Sequence, residues 1–183
     1  IGAAKYILGI SNPSSIVDEQ VKAIIRGATE ILNRESGENP YLLHEDLEDN
    51  MQSNVGIVRS ADLLLEGITK LESLKKSYKE VKANGASQYN PGWHEALALR
   101  NLMITAESVA RSALMREESR GAHTRVDFPG EQDEWLQSNV VIHKGKDGNM
   151  VVRKIDRQQP NSELESIASL SIDELEEEVN GEG

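Results

Sequence analysis

The stretch ALALRNLMITAESVARSALMREESRGAHTRVDFP, Ala96 to Pro129, decides the fold. Its first half reads as a helix and its second half cannot continue one. Leu99, Leu102, Met103, Ala106, Val109, Ala110, Ala113 and Leu114 recur at spacings of three and one, which gathers them on one side of a 3.6-residue helix. Many are alanines, so a neighbouring helix can approach closely. The pattern predicts a helix over about 92–119, entered at Asn90-Pro91 and stopped at Gly121. A helix C-terminus carries partial negative charge and favours cations, yet Glu117 and Glu118 stand there. Glu118, Arg120, His123, Arg125 and Asp127 then crowd five ionisable groups into ten residues. A non-local partner has to compensate, and Arg120 and Arg125 are the nearest cations. Two readings stay open: a folded-back ion-pair corner that fixes the chain after the helix, or a polar corner pressed against another domain's active-site region. Arg59, after Gly56-Ile57-Val58, is either a surface residue or a partner of the acidic helix end.

Upstream, the same helical period repeats twice. Val17, Val21, Ile24, Ile25, Ala28, Ile31 and Leu32 predict a helix over about 15–35, started by Pro13, Ser14 and Ser15 with Asp18 and Glu19 in its first turn. Ala61, Leu64, Leu65, Ile68, Leu71, Leu74, Tyr78 and Val81 carry a long segment over about 41–83, with a break near 54–57 at Gly56. Short helix connections imply antiparallel neighbours. The expected fold is therefore mainly α, an up-and-down three-helix bundle of spectrin-repeat type, followed by a β-hairpin and a short acidic helix. The hairpin is signalled by β-branched runs around Lys146-Asp147-Gly148-Asn149. The short helix is signalled by Ser171 with Glu174, a capping box. These divisions give 1–12 as a connection, 13–136 as the helical domain, 137–157 as the hairpin and 158–183 as an acidic tail.

Bulk composition agrees and narrows the function classes. The chain has 183 residues, 38% hydrophobic and only 4% aromatic, so its core is built from Leu, Ile, Val, Ala and Met. A net charge of −11 argues against nucleic acid as a partner. With no cysteine, disulfides, thiolate metal sites and a cysteine nucleophile are excluded. No apolar run approaches the roughly 18 residues of a membrane span. His44, His94, His123 and His143 share no metal-ligand spacing, and His44-x-x-x-Glu48 alone is short of the three or four ligands a metal needs. No Gly-rich phosphate loop, nucleophile elbow or kinase-type motif is present. The opening IGAAKYILGI carries no helix-start signal, which fits either processing or a domain cut from a longer chain.

The Ala96–Pro129 stretch resembles the C-terminal region of the succinate dehydrogenase and fumarate reductase flavoprotein subunits. In that family a helix ends in R-x-E-S-R-G-A-H-x-R-x-D-x-P, matched here by Arg116, Glu118, Ser119, Arg120, Gly121, Ala122, His123, Arg125, Asp127 and Pro129. LEDNMQSNVGIVRSADLLLEGITKLESL looks like the family's preceding helical stretch, with Arg59 in its G-I-x-R. GAAKYI is similar to the helix that leaves the FAD-binding domain, so the likeness covers roughly residues 2–136. Trp135 fits the pattern, but Ser138 stands where a histidine is often found. L-aspartate oxidase shares an E-S-R-G-x-H segment, although AHTRVDFP looks more like the succinate and fumarate enzymes.

The resemblance implies a structural domain with no catalytic, cofactor or metal residues of its own. The dinucleotide fingerprint and the substrate-binding residues of that family lie upstream of this region. Arg59, Arg116, Glu118, Ser119, Arg120, Gly121, His123, Arg125 and Asp127 are then expected to form a domain-interface or structural motif. The parent enzyme would bind FAD and interconvert succinate and fumarate. It would pack this domain against its own FAD-binding and capping domains. Electrons would pass to an iron–sulfur subunit, then through a membrane anchor to quinone, on the cytoplasmic side of the membrane. The other reading is a stand-alone helical interaction module whose acidic tail recruits a partner. Without a flavin domain to cover them, Ile1, Ala3, Tyr6, Ile7 and Ile10 would be apolar surface, so a homo-oligomer is expected.

Overall fold

A computed structural model describes residues 2–9, 16–158 and 161–181. In chain order the elements are α1 (Gly2–Leu8), α2 (Asp18–Asn33), α3 (Pro40–Asn54), β1 (Val58–Arg59), α4 (Ala61–Tyr78), α5 (Pro91–Met115), β2 (Thr124–Arg125), α6 (Asp133–Leu136), β3 (Ser138–Lys144), β4 (Met150–Asp156), α7 (Ser162–Ser169) and α8 (Ile172–Gly181). The mainly α bundle with a C-terminal hairpin is the observed architecture.

Three helices pack against one another, and they are α3, α4 and α5. The long segment expected over about 41–83 is two helices, α3 and α4, and the break expected near 54–57 falls at residues 55–60. A Cβ on Gly56 would meet the Gln52 carbonyl oxygen at 2.8 Å, so the chain leaves the helix where only glycine fits. Each of the three helices starts with a side-chain cap. Asn39 accepts from the Tyr41 amide, Ser60 from Leu63 and Asn90 from Trp93, and Pro40 and Pro91 occupy first-turn positions that need no donor. Leu43, Leu47, Leu64, Leu71, Leu99 and Met103 form the core they share. Gly67 lets α3 and α4 approach, since a Cβ there would lie 3.0 Å from both Asn54 Cβ and Val55 Cγ2. At that crossing, buried Asn50 donates to the Gly67 carbonyl at 3.0 Å and accepts from Asn54 at 2.8 Å.

The first expected helix is a flank rather than a third of the bundle. α2 starts at Asp18, with Asp18 and Glu19 in its first turn, while Pro13, Ser14 and Ser15 lie outside the described residues. It packs on α5, burying Ile31 and accepting a 2.7 Å hydrogen bond from Trp93 Nε1 at the Ala28 carbonyl. Leu32 packs against the core and Ala28 is half-buried, whereas Val17, Val21, Ile24 and Ile25 stay open, with Ile24 72% exposed. In α1, Tyr6 and Ile7 are exposed and no residue is buried; Ile1 and Ile10 lie outside the described residues.

Helix α5 ends at Met115, one residue past its apolar period and four earlier than the end expected from the Gly121 stop signal. Glu117 and Glu118 therefore lie beyond the helix, and Gly121 (φ +57°) belongs to a later tight turn rather than to the helix end. After that turn, β2 pairs in parallel with β1, Val58 with Thr124 and Arg59 with Arg125. Strands β3 and β4 form the antiparallel hairpin, from Ser138 opposite Asp156 to Lys144 opposite Met150, and both pack on α5. Its turn is held by Asp147, which accepts from the Asn149 amide at 3.1 Å, with Gly148 at φ +85°. The Ser171–Glu174 capping box forms at α8. Helix α7, not expected from the sequence, is capped by Asn161 and buries no residue.

Candidate functional site: the charged corner after α5

The corner is assembled from helix ends. Helices α3 and α5 finish near one another while α4 begins beside them, so unpaired carbonyls and amides converge. Arg125 serves the α5 end. It is 1% exposed, and its Nη1 donates to the carbonyls of Ala113, Leu114 and Arg116 at 2.9, 3.0 and 3.2 Å. This is the cation that the helix dipole requires, and it comes from nine residues past the C-cap residue Arg116. The other edge of the guanidinium grips Asp127 through two bonds of 2.8 and 2.7 Å. Asp127 in turn accepts from the Ala61 amide at 2.9 Å, so the carboxylate sits on the positive end of α4. One Arg–Asp pair thus joins the C-terminus of α5 to the N-terminus of α4, with each charge on its preferred dipole. Phe128 lies over the Arg125 guanidinium, 4.8 Å from ring centroid to Cζ.

Arg59 serves α3 in the same way. Its Nε donates to the carbonyls of Gly56 at 2.6 Å and Val55 at 3.2 Å. Its Nη1 lies 2.7 Å from His123 Nδ1. Because a guanidinium only donates, Nδ1 must accept, which places the imidazole proton on Nε2. That proton points to the Arg116 carbonyl, 3.1 Å away. His123 is thereby a neutral link between the capping cation of α3 and the end of α5. Burial pushes its pKa down, and the facing guanidiniums Arg59, Arg125 and Arg116 push the same way, against the hydrogen bond to Arg116.

Glu118 organises the outer half. It is fully buried and accepts from Arg116 (2.5 Å), from Arg120 through Nε and Nη2 (3.0 Å each) and from the Gln132 amide (2.9 Å). Burial alone would raise its pKa, but the bonds from Arg120, Gln132 and Arg116 outweigh it and bring the carboxyl from 4.5 to about 2. Asp127 is likewise held well below the ordinary carboxylate range, first by Arg125 and then, against burial, by the Ala61 amide. Ser119 ties the loop to itself. Its hydroxyl oxygen is 2.8 Å from the Arg125 amide, which donates to it, and 3.0 Å from the carbonyls of Arg125 and Phe128. Arg120 and His123 exchange backbone bonds of 2.9 and 3.0 Å around Gly121. Arg120 also reaches Glu131 at 2.8 Å, and Arg116 stacks on Trp135 of α6, 5.3 Å from its centroid.

The structure gathers all nine residues singled out in the sequence, Arg59 included, into this one network. It adds Ala61, Phe128, Glu131 and Gln132, which no sequence signal marked, and ties in Trp135 through Arg116. Both nitrogens of His123 are occupied, and the Glu118 and Asp127 carboxylates are each met by several donors. His44, the other candidate, sits between Glu48 (3.5 Å) and Glu95 (2.5 Å) on opposite ring nitrogens. Among the described residues, no group of three such side chains could hold a metal ion, and no helix is long and apolar enough to cross a membrane.

A bundle whose charged corner clamps three helix ends is a helical scaffold domain. The chain belongs to the family described as the fumarate reductase flavoprotein C-terminal region, whose pattern matches residues 44–170. It is 32% identical over 148 residues to the succinate dehydrogenase flavoprotein subunit of Bacillus subtilis, covering 77% of this chain and 25% of that protein. It is 34% identical over 146 residues to one subunit of the CoM/CoB fumarate reductase of Methanothermobacter marburgensis, covering 79% and 26%. Among solved structures it superposes on the Mycobacterium smegmatis Sdh1 complex in its apo form with a TM-score of 0.82 and 32% identity, over 95% of this chain and 31% of that one. The chain spans about a quarter of the length of the curated relatives it matches.

Proposed function

We propose that this chain is the C-terminal scaffold of a flavoprotein subunit that interconverts succinate and fumarate at FAD, with electrons leaving to an iron–sulfur subunit held at the membrane by an anchor. The observation that carries the reading is the pairing of the corner with the relatives' names. Proteins named as succinate dehydrogenase and fumarate reductase subunits align across most of the chain. The residues present do not themselves fit a dinucleotide. Among the described residues both sheets are two-stranded, and the corner guanidiniums are engaged by carboxylates and helix carbonyls. FAD and substrate are therefore assigned to the remainder of the subunit.

In this reading residues 13–136 are the domain proper, 1–12 its connection to the flavin domain, 137–157 an added hairpin and 158–183 a tail. The nine corner residues hold the ends of α3, α4 and α5 at a fixed angle and present that end of the bundle to the flavin and capping domains. The exposed faces of α1 and α2, with Tyr6, Ile7 and Ile24, meet the flavin domain, and on the isolated chain they would drive self-association.

The test is direct. The purified 183-residue chain is expected to retain no flavin absorbance once free FAD is removed by gel filtration, and to show no succinate-dependent dye reduction. The complete subunit carrying the same sequence is expected to show both. Flavin binding or turnover by the isolated chain would overturn the assignment of the machinery to the rest of the subunit. Lack of succinate or fumarate activity in the complete subunit would overturn the reaction.

A further inference from the structure

A basic cleft and an acidic tail are left over once the corner is accounted for. The cleft runs between the last turns of α4, the outer face of α5 and the turn end of the hairpin. It consists of two adjoining hollows of about 590 and 460 Å³ that share Lys75, Glu107, Asn149 and Met150. At its centre the buried carboxylate of Glu107 is bound by Lys75 and, at 2.8 Å, by Arg111. Those cations are spent. Around them stand Lys76, Lys79, Arg100 and Lys144, all exposed and without an ion pair among the described residues. Ile104, Ile142 and Met150 give the cleft an apolar floor. This is a concentration of unbalanced positive charge in a chain whose net charge is −11.

The negative charge has a place of its own. Residues 161–183 contain eight acidic side chains and no basic one, which leaves the other residues at only −3. The tail also carries apolar residues it does not bury. Leu164, Ile167 and Ile172 are exposed, and α7 has no buried residue. Acidic and apolar groups together on short helices match a cleft with free cations above an apolar floor.

We propose that the tail of this chain docks back into the cleft, with Asp173, Glu174 and Glu176 of α8 pairing with Lys76, Lys79, Arg100 and Lys144 while Leu175 covers Ile104 and Met150. The tether permits it. Strand β4 carries the chain about 20 Å away from the hairpin turn. Residues 157–161 can span at most ~17 Å when extended, and the eight residues of α7 return a further ~12 Å. A tethered segment is present at an effective concentration that makes even a weak charge-paired contact populated. Docking shields the cleft from other acidic partners and brings a marginal helix into a packed environment.

The chain has no cysteine, so a single Ser169→Cys substitution takes a nitroxide label cleanly at the tail. In the ¹⁵N-labelled 183-residue chain, the amides of Lys76, Lys79, Arg100 and Lys144 are expected to lose most of their intensity at low salt. They should recover at about 1 M salt, where the screening length falls to ~3 Å. They should also recover in the Lys79→Glu/Arg100→Glu chain, whose exposed positions leave the bundle fold intact by circular dichroism. Full intensity at low salt would overturn the proposal, as would broadening that survives the charge reversal. Equal broadening of a ¹⁵N chain without label when it is mixed with labelled ¹⁴N chains would replace the intramolecular contact with one between copies, and would overturn it too.

Discussion

The corner at 116–132 and the tail at 161–176 are both dense in charge, yet one is an ordered network and the other is mostly exposed. The difference is sign and setting. In the corner, arginines alternate with acids at close spacing, and three helix ends supply carbonyls and amides of matching polarity. Every charge there but the exposed Glu117 finds a protein partner, and Glu118 and Arg125 can be buried outright. In the tail every charge is negative, so neighbours repel, and among the described residues only Glu174 finds a local bond, from Ser171. Charge density by itself says nothing about order; the number of complementary groups within reach decides it.

Removing Arg125 should break the contrast most. Arg125→Met strips three carbonyls of α5 of their cap and leaves Asp127 without its partner. A loss of about 3–5 kcal/mol in urea-unfolding free energy is expected, enough to unfold a marginal domain. A loss below about 1 kcal/mol would mean the corner is decoration. Glu118→Gln comes next. It removes the buried charge that Arg116 and Arg120 share, leaving Arg120 with Glu131 alone, and about 2 kcal/mol should go. The same residue sets an acid limit. Its folded pKa is about 2 against an ordinary 4.5, so its contribution is complete above pH 4.5 and disappears as pH falls towards 2. Stability measured across that window should fall less steeply in Glu118→Gln than in the parent chain.

His123 sharpens the comparison more finely. Its pKa is lowered in the folded state, so protons bind the unfolded chain better, and the contribution is complete above about pH 6.5. It is lost as pH falls below that value. His123→Ala should cost about 1 kcal/mol near pH 7.5, and less near pH 5, where the parent has already lost part of it. His123→Gln keeps one donor and one acceptor and should cost less than the alanine variant. Smallest of all is deletion of 161–183, which should change unfolding free energy by no more than about 0.5 kcal/mol. A drop of several kcal/mol would show that the tail is part of the bundle's core stability.

Much of this contrast was legible in the sequence, and the misses have a common cause. Helix α5, the Asp147-Gly148 hairpin turn and the Ser171–Glu174 capping box were readable because their determinants are local: an apolar period, a glycine with positive φ, a hydroxyl three residues from a carboxylate. The early end of α5 was not. Its apolar period runs through Leu114, and the stop is imposed by Arg125 folding back onto the last carbonyls. The role of Arg59 was equally hidden, because its partner His123 is 64 residues away. The two-residue parallel ladder of β1 and β2 has no propensity signal at all. Helix α2 was overread, since its apolar stripe predicts burial and only Ile31 is buried. Helix α7 was missed although Asn161 supplies a cap and Glu163 and Glu165 suit its first turn.

The Arg59–His123 and Asp127–Ala61 bonds join residues 64 and 66 positions apart. Such links cannot close until α3, α4 and α5 have each formed and docked, because the chain entropy of so large a loop is lost before any bond is gained. The corner is therefore a late event in folding and an early obstacle in unfolding. Substitutions in it should speed the unfolding limb of a chevron and leave the folding limb nearly unmoved. A domain built this way holds its shape by being slow to open.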